Sequence, residues 1–269
     1  NKKVAMPKLR SILKEAEAHG YRVAKFYFMI GLPLPAAGIS EEEAIAAFIQ
    51  DISASTPLKI NVTLSTYIPK PHTPFQWSAQ LTPQEAARRI YAIKDALKKN
   101  NRVKISYHGP YVSMLEGIVS RGDGRVGALL LEAYRRGASF DAWDDKINKD
   151  AWDGALAASG LDRDELLGAR DMEAPLPWDG IKLRVSKAYL RREAEKAFAS
   201  ELSPICMEKC TTPCGACSDT VSVQGDDERE RIARALDFLE ADLGRAGDAS
   251  SQTEQRPSDG EYRRSRILF

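Results

Sequence analysis

Three runs of β-forming residues, each parted from the next by a helical segment, constrain this chain more than anything else in it. RVAKFYFMIGLP carries Val23, Ala24, Phe26, Tyr27, Phe28, Met29 and Ile30 with a single polar break, KINVTLSTYIP is rich in β-branched residues, and RVKISYHGP is a shorter third run. The first run is nearly unbroken, which predicts a strand buried on both faces. Ahead of it, PKLRSILKEAEAHGY has Leu9, Ile12, Leu13 and Ala16 at helical spacing with Gly20 as a stop. Between the runs, SEEEAIAAFIQDI begins with Ser40 and Glu43, and TPQEAARRIYAIKDALKKN with Thr82 and Glu85. Both spacings predict capping boxes. Helix, strand, helix, strand, helix, strand implies βαβ units and parallel pairing. Three parallel strands leave faces and edges uncovered, so the missing strands are expected before residue 1.

From about residue 111 the texture changes to helices joined by short loops: YVSMLEGIVSRG, RVGALLLEAYRRG, KDAWDGALAASG and SKAYLRREAEKAFA. Residues 218–260 are charged and end low in hydrophobicity, which reads as one helix, DDERERIARALDFLEADLG, followed by a linker; EYRRSRILF has the composition of a further strand. The expected division is 1–110 for the α/β part, 111–218 for a helical part ending in cysteines, and 219–269 for helix, linker and the start of another domain. The 269 residues are 43% hydrophobic and 29% charged with a formal net charge of +1. That balance excludes a disordered acidic chain and a binder of polyanions by bulk charge; nucleic acid is left only the local basic patch of SKAYLRREAEK. No apolar run approaches the roughly 18 to 20 residues of a membrane span, and NKKVAMPKLR has no signal-type apolar stretch. A cytoplasmic protein without membrane association is expected.

All four cysteines fall in one short segment, Cys206, Cys210, Cys214 and Cys217, the last three spaced C-x3-C-x2-C in CTTPCGAC. Crowded together they cannot staple a chain of this size, and they sit among Pro, Gly and Thr, which fold backbone tightly around an ion. A metal site is expected. Thiolates suit both zinc and iron-sulfur clusters, so the ligand residues are named but the metal is open.

Other conspicuous residues read as structure. RGD at 121–123 is a turn with Gly122 at its centre; Trp143, Trp152 and Trp178 are expected to pack the helical region; His19 is solvated. His72 and His108 follow strands, where loops carry function, although a hydrogen-bonded structural histidine is the commoner outcome. In parallel sheets the ligand site lies at the carboxyl ends of the strands, which directs attention to Met29, Ile30, Gly31, Tyr67 and Ile68.

The combination of YFMIGLP, a capped helix and TLSTYIPKPHTPFQW resembles the last two strands of the radical S-adenosylmethionine (SAM) partial barrel. VSRGDGRVGALLLEAYRRGASFDAW, APLPWDGIKLRVSKAYLRREAEKA and the cysteine segment resemble the C-terminal extension of B12-binding-type radical SAM proteins. The resemblance covers about residues 5–218. It implies the C-terminal part of a partial (β/α) barrel followed by a mainly helical extension. It further implies an enzyme in which a reduced [4Fe-4S] cluster cleaves SAM and the resulting radical abstracts hydrogen from a substrate the sequence does not name. Met29, Ile30, Gly31, Tyr67 and Ile68 would lie near the adenosine, and cobalamin would bind an upstream domain not in this chain. In that family the catalytic C-x3-C-x2-C follows the first barrel strand. Here the motif follows the last strand and a fourth thiolate, Cys206, would close the open iron that SAM must occupy. CTTPCGAC is therefore expected to be an accessory four-cysteine site, with the SAM-cleaving triad upstream, and reaching the barrel mouth would require the extension to fold back across it. The alternative is a non-enzymatic interaction module held by zinc or iron-sulfur.

Overall fold

The computed structural model describes residues 5–33, 38–141, 143, 145–181, 183–204 and 214–216. The alternation read from the sequence is present: α1 Met6–Ala18, β1 Val23–Ile30, α2 Glu41–Ser55, β2 Lys59–Thr66, α3 Pro83–Leu97 and β3 Val103–Tyr107. The strands pair in chain order, β1-β2-β3, all parallel, with Phe26 opposite Val62 and Val62 opposite Ile105. At the start of α2 the capping box is complete. The Glu43 N–H donates to Ser40 Oγ at 3.2 Å and the Ser40 N–H to Glu43 Oε2 at 3.0 Å. Only half of the second box forms at α3. The Glu85 N–H donates to Thr82 Oγ1 at 3.2 Å, but the Glu85 carboxylate is taken by Arg88 at 2.8 Å and Arg89 at 2.9 Å. A guanidinium is a stronger donor to a carboxylate than a neutral N–H, so it wins the acceptor.

Strand periodicity sorts the side chains into two unlike faces. Ile30, Ile60, Val62 and Leu64 are fully buried with Ile45, Ile49 and Ile52 of α2 and Ile90 and Ile93 of α3. The opposite face, expected to be buried for β1, is open: Tyr27 is 73% and Met29 52% exposed. Both helices pack on one side, and among the described residues no element covers the odd-numbered residues of β1. By register the open face carries Lys25, Asn61 and Lys104 in one row, Tyr27, Thr63 and Ser106 in the next, then Met29 and Ser65. Thr63 and Ser106 hydroxyls meet at 3.1 Å. The outer edge of β1 is also unpaired among the described residues. Arg22 and Ile30 carbonyls accept from Lys59 and Tyr67, so even-numbered residues face β2, and the N–H and C=O groups of Val23, Lys25, Tyr27 and Met29 point away from it.

After β3 the chain is helical: α4 Pro110–Arg121, α5 Arg125–Arg135, α6 Lys149–Ser159, α7 Arg163–Leu167 and α8 Lys187–Phe198. Met114, Ile118, Leu129, Trp152, Ala155 and Leu167 close a second core. A third cluster joins Trp77 from the loop after β2 to Leu176, Trp178, Leu190 and Ala194. Three readings are corrected. α7 was not foreseen; five residues are too short for a periodic signal, and Asp162 secures it by accepting from the Asp164 and Glu165 N–H groups. The connection from Gly168 to Ser186 is a long irregular stretch and not a short loop. Trp143 is 59% exposed, lying edge-on at 6.2 Å to Phe140, itself 71% exposed, whereas Trp152 and Trp178 are buried as expected. Residues to Ile205 form one compact unit, so the α/β and helical parts share it. The helix, linker and strand read beyond residue 217 lie outside the described residues.

Candidate functional site at the strand exits

The carboxyl ends of the three strands are tied side by side. The Tyr67 N–H donates to the Ile30 carbonyl at 2.8 Å and the His108 N–H to the Leu64 carbonyl at 3.0 Å. The candidate residues divide here. Met29 stands on the open face opposite Ser65, while the Ile30 side chain is fully buried under the helices and lines no ligand site. Gly31 has φ +84°, and a Cβ there would come within 2.5 Å of Leu81 Cγ. Its N–H donates to Glu41 Oε2 at 2.6 Å, with the Leu32 N–H at 3.4 Å from the other oxygen. Glu41 in turn accepts from Arg89 at 3.0 Å. Conformation and packing therefore account for the glycine, and its amide is already engaged.

Tyr67 and Ile68 leave β2 half-buried. Burial pushes the Tyr67 phenol up, with the Arg121 charge and the Thr73 hydroxyl acting against it. The loop that follows is clamped by the helical part. Gln76 Oε1 accepts from the His72 N–H at 3.0 Å and from Trp178 Nε1 at 2.6 Å; the Arg170 N–H reaches the Trp77 carbonyl at 2.7 Å; the Gln80 N–H reaches the Leu167 carbonyl at 2.9 Å. His72 holds φ +57°, and its Nε2 is buried with no hydrogen bond among the described residues. His108 is exposed.

The residue that organises this clamp is Arg121, the first residue of the RGD turn. It is fully buried at the end of α4. Its guanidinium donates to the carbonyls of Ser78 at 2.6 Å, Gly168 at 2.7 Å and Leu166 at 3.1 Å. Burial first, and then the neighbouring Arg170, bring its pKa down to about 10. Sequence reasoning missed it because an arginine at a helix end beside Gly is ordinarily solvated.

The end of α8 reaches the loop that follows β2. Phe75 stands 6.2 Å from Tyr67 and 5.9 Å from Phe198, the last residue of α8.

Of the cysteines, Cys214 is half-buried, and its Sγ accepts the Ala216 N–H at 3.4 Å across Gly215, whose φ is +87°. An amide aimed at sulfur in a tight turn suits a thiolate ligand. Cys206, Cys210 and Cys217 lie outside the described residues. Among those described, no three His, Cys, Asp or Glu residues are grouped to hold a metal ion, and no helix is long and apolar enough to cross a membrane. No protein-family model, curated protein or solved structure matches the chain.

Proposed function

We propose that residues 5–107 are the C-terminal wall of a radical SAM barrel, and that the cysteine segment after α8 is an accessory iron-sulfur site. One observation carries the reading. The strands are neighbours in chain order and every helix between them packs on one face, leaving the other face open and largely polar. A doubly wound sheet places helices on both faces, whereas a (β/α) barrel places them only outside and keeps one face for its interior. The unpaired edge of β1 is where the wall would continue.

In this reading SAM and its cluster supply reductive cleavage and, through it, hydrogen abstraction from the substrate. The chain's own part is to position the cofactor. Met29, Tyr67 and Ile68 fit that task, being accessible at the strand exits; Gly31 contributes by letting the backbone turn, and Ile30 only through its backbone. Lys25 and Lys104, in one row of the open face, would favour an anionic group there. The Glu41 link from α2 to Gly31 and the Arg121 clamp hold the exits in place. The substrate, and cobalamin in an upstream domain, belong to the same proposal.

Iron and acid-labile sulfide in anaerobically prepared protein test it. The expected result is a brown protein with both, lost together in Cys214→Ala/Cys217→Ala. A colourless protein holding zinc would favour the interaction module, and metal content unchanged by the double substitution would remove the site altogether.

A further inference from the structure

A cavity of about 310 Å³ lies between the turn joining α4 to α5, helix α7 and the segment 170–177. Its polar lining consists of Asp123, Arg125, Glu165 and Arg170, and Leu176 and Pro177 contribute apolar wall. These charges are unevenly satisfied. Arg125 engages both oxygens of Asp123, at 3.0 and 3.1 Å from Nε, so that pair is closed. Arg170 stacks on Trp178 at 5.2 Å and gives Nη2 to the Arg121 carbonyl at 2.8 Å, while its Nε is buried without a partner among the described residues. Arg121 beside it is bound to carbonyls alone. Two guanidinium groups are thus held together with no carboxylate in ion-pairing contact among the described residues. Glu165 and then Asp123 lie near enough to favour the Arg170 cation against its burial, yet neither forms an ion pair with it.

A cation and an exposed carboxylate that form no direct ion pair with each other therefore line one small cavity. A simple anion would meet Arg170 but be opposed by Glu165, and a simple cation would meet the reverse. A molecule carrying both charges satisfies each, and a guanidinium is the side chain best shaped to receive a carboxylate. The geometry points to a small zwitterion of the α-amino-acid class, its carboxylate on Arg170, its ammonium on Glu165 and an apolar side chain against Leu176 and Pro177. The volume is at the small end of ligand pockets, as such a molecule requires.

Calorimetric titration of the full chain with L-leucine, N-acetyl-L-leucine and L-leucinamide tests this. Saturable binding of L-leucine is expected, with each capped form at least about tenfold weaker. Because the Arg170 side chain also holds the Arg121 carbonyl, Glu165→Gln is the deciding variant. It should keep the parent far-ultraviolet dichroism and lose about tenfold in L-leucine affinity. No saturable binding of L-leucine, equal binding of a capped form, or an unchanged affinity in Glu165→Gln would each overturn the assignment.

Discussion

The two faces of the sheet and the helical part that follows differ in how far they are finished. The helices from α4 to α7 close a core of their own around Met114, Leu129 and Trp152, and they tie their loops down with a buried arginine. The sheet covers one face with α2 and α3 and leaves Tyr27, Met29 and a row of hydroxyl and amine groups open on the other. Burial spent on one face only is uneconomical for stability in a parallel sheet, so the open face points to use. Substitutions on the closed side should therefore cost stability, and those on the open side should cost only function.

The sharpest contrast is expected at Arg121. Replacing it by Met removes three charge-assisted hydrogen bonds and leaves buried carbonyls unpaired, a loss of about 3 to 5 kcal/mol by urea unfolding. A loss below about 1 kcal/mol would mean that water replaces the guanidinium and that the clamp is not structural.

Next in size is Gly31→Val, expected to cost about 2 to 3 kcal/mol from the positive φ together with the Leu81 contact. Adding Leu81→Ala should return part of that by relieving the clash, never all, because the backbone conformation remains unsuited to valine. Full recovery would show that φ relaxes and that the turn at the β1 exit is not fixed.

Tyr27→Ser on the open face should change stability by no more than about 0.5 kcal/mol, against about 2 kcal/mol or more for Leu64→Ala on the closed face. Equal costs would erase the distinction between the faces.

The smallest effect concerns pH. Hydrogen bonds from Arg88 and then Arg89 hold the Glu85 carboxyl down at about 2, from an ordinary value of 4.5. A carboxylate lowered on folding stabilises the fold above its unfolded value, and this contribution fades as pH falls from about 5 to about 2. The Glu85 side chain is 35% exposed, and solvent screening holds the effect under about 1 kcal/mol. Glu85→Gln should flatten that part of the stability curve, and an unchanged acid limb would assign it to other carboxylates.

Much of the fold is legible in local pattern. Three β-rich runs between capped helices announce parallel pairing, and Ser40 with Glu43 forms the expected box. Most of what was not legible depends on contacts between distant residues. One miss is local: Arg88 and Arg89 follow Glu85 at the three- and four-residue spacing where helix side chains meet, and they take its carboxylate in place of the Thr82 amide. An almost continuous apolar run hides that Tyr27 and Met29 are exposed, because periodicity does not reveal on which side helices pack. At the strand exits the sequence points to Met29, Tyr67 and Ile68, which the fold leaves at least partly accessible, whereas the Ile30 side chain falls one step of the pleat away, on the closed face. Arg121 could not be found at all, since its three acceptors come from residues more than forty positions away.

The accessory role proposed for the cysteine segment rests on its place after the last strand and on the fourth thiolate, Cys206. The most direct test is the yield of 5'-deoxyadenosine from SAM under dithionite in anaerobic conditions, compared between this chain and the same protein carried upstream to a second C-x3-C-x2-C. The account predicts product from the longer protein and none from this chain. Product from this chain that disappears in Cys210→Ala would contradict it and make CTTPCGAC the cleaving motif.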